Sequence, residues 1–264
     1  MAYPAFMSEI TREGLRLSYT DTGLGEPVLL FIHGNSCDRS FFAPQIERFA
    51  TAHRCIAPDL RGHGESDAPK DASYTFHALT DDLAHLCRSV GAPRVVAVGH
   101  SLGGALAVRL AASRPDMVAG VVALDSTLIP QPGFELWLDP LLARLGRDPE
   151  APFPREFFEP LFAAEDDPER RAEIMARLAR TPRHVTTALF ALFRDSDYKQ
   201  AARAVRCPFL YVGAHRHRTD PQALRRLIPQ AHFAQTALCG HFQTLETPEQ
   251  INAMLERFLA RLVI

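Results

Sequence analysis

The sequence predicts an α/β protein: a mostly parallel, doubly wound sheet of about eight strands, with helices on both faces and a helical insertion. Three observations predict it. Short continuous apolar runs, among them Pro27 to Ile32, Arg94 to Val98 and Met117 to Leu124, have the length and β-branched content of strands buried on both faces. Stretches of helical periodicity alternate with these runs. From Ser126 to Arg206 the alternation stops: there is no strand-like run, prolines are frequent and helical stretches are short.

Taken in order, Glu9 to Thr20 alternates and breaks at Glu13-Gly14, which reads as an antiparallel hairpin at one sheet edge. Pro27 to Ile32 is a buried strand that runs into His33-Gly34-Asn35-Ser36. Phe41 to Ala50 has helical spacing. Arg54 to Pro58 is a strand followed by Asp59-Leu60-Arg61-Gly62-His63-Gly64-Glu65-Ser66, and Thr75 to Val90 is a helix with Gly91 beyond its end. Arg94 to Val98 is a strand, Leu102 to Ser113 a helix rich in Ala and Leu, and Met117 to Leu124 a strand closed by Asp125. After the insertion, Phe209 to Val212 resumes the sheet, Pro221 to Ile228 is a helix, Phe233 to Leu238 a last strand and Pro248 to Leu262 a terminal helix. The expected organisation is a core of residues 1–125 and 207–264 interrupted by a helical lid of residues 126–206.

Composition narrows the function classes. The chain has 264 residues, 47% of them hydrophobic, and a formal charge of −2. Scattered Lys and Arg give no nucleic-acid footprint, and no apolar run reaches bilayer length, so no membrane span is expected. Met1 to Ile10 lacks the basic-then-apolar pattern of a secretory leader. The five cysteines, Cys37, Cys55, Cys87, Cys207 and Cys239, are odd in number and widely spaced, without a C-x-x-C. They argue against a disulfide framework or a zinc site and for a reducing, cytoplasmic setting.

The chemistry centres on Gly99-His100-Ser101-Leu102-Gly103-Gly104, where a strand turns at once into a helix with Ser at the corner. This is the pattern of a nucleophile elbow. The residues two before and two after the Ser must be small because the turn is crowded, and the hydroxyl then stands above the sheet edge at a helix N-terminus. A Ser hydroxyl needs a neighbouring base. The candidate is His241, the only His between the last strand and the last helix, preceded by Gly240. His100, His215, His217 and His232 lack that placement. Acyl transfer also needs two oxyanion donors. The backbone N–H groups of Leu102, at the helix start, and of Asn35, in the loop after the Pro27 to Ile32 strand, fit that need.

Together these motifs resemble the α/β-hydrolase fold superfamily, specifically its serine-nucleophile, lidded, esterase-like branch. The resemblance rests on His33-Gly34, Asp59 to Ser66, Gly99 to Gly104 and Gly240-His241-Phe242, and it covers essentially the whole chain. It implies a triad in the chain order Ser, acid, His, and a structural role for the Asp59 to Ser66 motif. Relatives that are dehalogenases or epoxide hydrolases place Asp at the nucleophile position, where this chain has Ser101. Many relatives carry the acid in a Gly-x-x-Asp turn after the strand that follows the lid. Here that turn reads Gly213-Ala214-His215-Arg216, with a cation in place of the carboxylate. Other members carry the acid before the lid, where this chain has Asp125. The rival, Asp220, precedes Pro221 at a helix start, the signature of an N-cap.

The expected enzyme is therefore a serine hydrolase acting on a carboxylic ester or related acyl bond, with Ser101, Asp125 and His241 as triad and Asn35 and Leu102 as oxyanion donors. No metal or cofactor is called for. Lid aromatics such as Phe134, Trp137, Phe157, Phe158, Phe190 and Phe193 fit a small-molecule substrate with an apolar acyl or aryl group, and equally fit packing of the lid. C–C bond hydrolysis, lactone opening, cofactor-free oxygenation on the same triad, and a slow-turnover ligand receptor of the same fold remain open alternatives.

Overall fold

A computed structural model describes residues 6–130, 133–147, 153–195, 198–216 and 218–262. His217 and the side chain of Trp137 lie outside the described residues. Eight strands form one sheet: β1 (Phe6–Arg12), β2 (Leu15–Asp21), β3 (Val28–Ile32), β4 (Cys55–Pro58), β5 (Val95–His100), β6 (Val118–Leu124), β7 (Phe209–Gly213) and β8 (Ala231–Gln235), in spatial order β1-β2-β4-β3-β5-β6-β7-β8. The β1–β2 hairpin and the β2–β4 pair are antiparallel, and every pair from β4 to β8 is parallel.

Helices cover both faces. On one face α2 (Phe76–Ser89), α3 (Leu102–Ser113), α8 (Tyr198–Ala204) and α9 (Pro221–Leu227) pack Leu83, Leu106, Ala202 and Leu224 against Leu30, Ala97, Val121 and Tyr211. On the other, α1 (Ala43–Phe49) and α11 (Pro248–Leu259) pack Phe49, Ile251 and Leu255 against Leu29, Phe31, Val96, Val98 and Val122. Neighbouring strand residues thus enter opposite layers, as a period of two requires, and both layers are apolar. Burying each of the Leu, Ile, Val and Phe side chains among these contributes about 1.5–3 kcal/mol.

Between β6 and β7 the described residues hold no strand. They form α4 (Phe134–Arg147), α5 (Arg155–Phe158), a 3₁₀ turn (Glu159–Leu161), α6 (Pro168–Leu178) and α7 (Arg183–Asp195), followed by α8. Leu138, Phe158, Leu161, Ile174, Leu178 and Phe190 form a separate apolar core, which closes against Phe41 and Phe242 of the body. Among the described residues no helix is long and apolar enough to cross a membrane.

Two elements depart from the sequence expectation. The last strand lies at Ala231–Gln235 rather than Phe233 to Leu238, because its register is set by β7, with Phe209 opposite Ala231 and Gly213 opposite Gln235. Beyond that pairing the chain turns away, and Leu238, at φ 55°, is exposed. A four-residue helix, α10 (Gln243–Glu246), follows His241 where no element is expected.

Candidate active site

The parallel strands end in step, which gathers distant sequence positions on one edge. Ile32 lies opposite Gly99, His100 opposite Leu124, and Leu124 opposite Val212. The pairing runs one residue past the strands: Ser101 N–H donates to the Leu124 carbonyl at 2.9 Å and Asp125 N–H to the Val212 carbonyl at 2.7 Å. Ser101 and Asp125 therefore stand side by side at the C-terminal edge, where α/β proteins place their sites. Both hold left-handed backbone conformations, with φ of 54° for Ser101 and 42° for Asp125. Such strain in non-glycine residues concentrates at functional positions.

Crowding explains the glycines of the elbow. A Cβ on Gly99 would collide with the Gly103 carbonyl, and a Cβ on Gly103 with the Ile32 carbonyl at the end of β3. The strand-to-helix corner thus lies directly on the loop that follows β3. A Cβ on Gly34 would stand 3.1 Å from Ser101 Cβ, so that loop touches the Ser. No backbone or side-chain acceptor among the described residues pairs with the N–H of Asn35 or of Leu102. Asn35 is buried, and its Nδ2 has no partner either.

The Asp59 to Ser66 segment shapes this loop from below. His63 Nε2 accepts the Ser36 N–H at 3.1 Å, and His33 Nε2 accepts the Leu60 N–H at 2.9 Å. Asp59 accepts the N–H groups of Arg39 and Glu65, both at 2.8 Å. Burial pushes His33 down to about 4 and His63 down to about 3, so both rings stay neutral and keep an accepting nitrogen.

His241 Nδ1–H donates to Asp125 Oδ2 at 2.6 Å, and both residues are buried. Asp125 Oδ1 accepts the Ala214 N–H at 3.1 Å, and Arg218 Nε–H donates to the same Oδ2 that serves His241, also at 3.1 Å. Burial opposes the charge on Asp125, but the His241 hydrogen bond, the Arg218 cation and the Ala214 amide together hold the carboxyl below its ordinary range. Burial and the Arg218 charge push His241 below its ordinary value, against the pull of Asp125. Asp220, by contrast, accepts the Gln222 N–H at 2.8 Å as the N-cap of α9.

Ser101 and His241 line one small cavity, with Asn35, Phe134, Phe157, Phe190 and Arg218 among its walls. Its volume is about 30 Å³, room for on the order of two water molecules. The structure gives no hydrogen bond between Ser101 and His241; such contacts are often long before substrate binds. Cys37 shares the wall, but burial pushes its thiol up and keeps it protonated. A larger groove of about 1000 Å³ runs between β8 and α11, past Leu210, Met254, Arg257 and Phe258, but no Ser or Cys lines it. Among the described residues no group of three or more His, Cys, Asp or Glu could hold a metal ion.

Three contributors were not legible in the sequence. Arg218 reaches Asp125 from the loop after β7. His100 donates from Nε2 to the carbonyl of His241 at 2.9 Å. Asp166, in the insertion, bonds the His241 loop. For His100 alone a signal existed, since it sits inside the elbow motif. The other two depend on contacts between segments far apart in sequence.

A profile of the alpha/beta hydrolase family matches residues 29–254. The AB hydrolase superfamily protein YisY of Bacillus subtilis is 26% identical over 265 residues, covering 94% of this chain and 97% of that protein. The 2-(acetamidomethylene)succinate hydrolase of Mesorhizobium japonicum is 39% identical over 113 residues, which cover 43% of this chain and 40% of that enzyme's length. Among solved structures, a thermophilic esterase from Thermogutta terrifontis has a TM-score of 0.84 at 27% identity, over 98% of this chain and all of the esterase. With the family match running from β3 into α11, the chain belongs to the alpha/beta hydrolase family.

Proposed function

We propose that this hydrolase cleaves a carboxylic ester or related acyl bond through an acyl-enzyme formed on Ser101. The observation that carries the reading is the buried 2.6 Å hydrogen bond to Asp125 made by His241, which lines the same cavity as the strained Ser101. With Nδ1–H given to Asp125, Nε2 is the ring nitrogen left to take a proton. Ser101 Oγ attacks the substrate carbonyl as His241 removes its proton. The N–H groups of Asn35 and Leu102 receive the oxyanion. His241 returns the proton to the leaving alcohol, and water attacks the acyl-enzyme by the same route. Asp125 fixes the imidazole tautomer and stabilises the imidazolium. The likeness to the Thermogutta terrifontis esterase supports ester chemistry.

In this proposal the part of residues 126–206 that precedes α8 acts as a lid, while α8 packs on the sheet. The cavity of about 30 Å³ is roughly a tenth of the smallest ordinary ligand site, so part of the insertion has to shift before substrate enters. Its Phe134, Phe157, Phe190 and Phe193 line the cavity and suit a small molecule with an apolar acyl or aryl group. The cysteines of the described residues are all unpaired, which supports a reducing, cytoplasmic setting.

Ser101→Ala is expected to abolish turnover of p-nitrophenyl esters while circular dichroism and Tm stay unchanged. A fluorophosphonate is expected to label the wild type on Ser101. Labelling at another residue, or full activity in the variant, overturns the assignment.

A further inference from the structure

The loop that carries His241 is fastened to the insertion. Asp166 is buried in the turn that precedes α6. Its Oδ1 accepts the Gly240 N–H at 2.9 Å and its Oδ2 accepts the Ala163 N–H at 2.7 Å. One peptide further on, His241 N–H donates to the Leu161 carbonyl at 2.7 Å. The His241 carbonyl in turn accepts from His100 Nε2 at 2.9 Å. Three backbone groups around the imidazole are thus tied, two of them to the insertion.

The fit is close enough to dictate residue type. A Cβ on Gly240 would collide with the Asp166 carboxylate and stand 2.7 Å from both Ala163 N and the Leu161 carbonyl. Gly240 is not among the glycines with positive φ, so space is what requires it. The carboxylate is also kept at an electrostatic cost. Burial, and then the charge of Asp166, raise the carboxyl of nearby Glu246 above its ordinary range. A neutral side chain at 166 would remove that repulsion, but only a carboxylate offers two acceptor oxygens to two amides without presenting a donor.

We infer that Asp166 is a positioning residue for His241: with the Leu161 carbonyl, it fixes the Gly240–His241 peptide so that the imidazole meets Asp125 and lines the cavity it shares with Ser101. The inference rests on the reading of His241 as the base. It makes the Leu161 to Asp166 turn part of the catalytic frame. A lid that moved as one rigid body would carry this tie with it and disturb the base.

The test compares Asp166→Ala and Asp166→Asn with the wild type and with His241→Ala. In the folded Asp166 variants, kcat for a p-nitrophenyl ester is expected to fall on the order of 10- to 100-fold, as for a small misplacement of a catalytic group. KM should change little, and the rate of fluorophosphonate labelling at Ser101 should fall in parallel. Asn keeps one accepting oxygen and should be the milder change. The downfield proton resonance of His241 Nδ1–H should broaden or vanish in Asp166→Ala. Wild-type kcat, labelling rate and resonance in the folded variants, or an effect confined to KM, overturns the inference. If Asp166→Ala does not fold, Asp166→Asn and its resonance decide. Activity retained in His241→Ala would instead overturn the base assignment; a dead His241→Ala beside fully active Asp166 variants would overturn this inference alone.

Discussion

One oxygen of Asp125, Oδ2, serves both the His241 imidazole and the Arg218 guanidinium. That sharing yields two residue-scale predictions. In Asp125→Asn the side chain can present a donor to Nδ1 and reverse the tautomer, so kcat should fall by roughly 10³–10⁴ in a folded protein. Asp220 caps α9 and touches none of this, and Asn also caps well. Asp220→Asn should therefore keep nearly full activity; a dead Asp220→Asn beside a live Asp125→Asn would exchange the two assignments. The second prediction concerns pH. An ordinary His titrates near pH 6.5, but burial and Arg218 push His241 down. The base must be neutral, so the acidic limb of kcat/KM should lie below about pH 6.5. Arg218→Gln removes the opposing cation and should move that limb upward. A limb above pH 7 in the wild type, or a downward move in the variant, would contradict the argument.

At the scale of elements, α3 shows how much a sequence can specify. Its bounds, Leu102–Ser113, are those the Ala- and Leu-rich run predicts, because local propensity and the glycine-flanked corner agree. β8 was legible as a strand but not in register, since the partner strand and not its own apolar content sets the ends. α10 is a single short turn with no periodicity to read. Gly103 sets up a contest of magnitudes within α3. Ala is better than Gly in a helix interior by about 1 kcal/mol. Here the added Cβ would meet the Ile32 carbonyl, which belongs to the backbone of β3 and cannot swing aside. Overpacking of this kind costs about 1–3 kcal/mol, so Gly103→Ala should lower Tm rather than raise it. It should lower activity further, because it separates the start of α3 from the loop carrying Asn35. Thermal denaturation and ester turnover measured together decide this; a higher Tm with full activity would refute it.

For the whole molecule, the order of strands and helices was legible because each buried strand is an apolar run and each covering helix has its own period. Ser101 and Asp125 were legible as candidates because each directly follows a strand, and His241 because it is the only His between the last strand and the last helix. What joins them was not: Arg218, His100 and Asp166 act through contacts that only the assembled sheet and insertion create. The same assembly buries four imidazoles where charge is disfavoured. Burial is the first cause of each shift, lowering His33 to about 4, His63 and His100 to about 3, and His241 below its ordinary value. The sign follows from linkage. Above about pH 6.5 these rings are neutral in both folded and unfolded chains and contribute no pH dependence. As pH falls below that value the unfolded chain binds protons that the folded chain refuses, so folding stability drops until the folded rings titrate in turn. Each fully refused proton is worth about 1.4 kcal/mol per pH unit, so His33, His63 and His100 give a slope of about 4 kcal/mol per unit, and His241 adds to it with the same sign. Domains commonly hold only about 5–15 kcal/mol in all, so a large part of the stability should be lost within roughly two units below pH 6.5. Urea unfolding followed between pH 7.5 and 4.5 should show a nearly flat midpoint above pH 7 and a steep fall beneath pH 6. A midpoint that holds level down to pH 5, or a slope equivalent to less than one proton, would show that these rings titrate in the folded protein much as they do in the unfolded one.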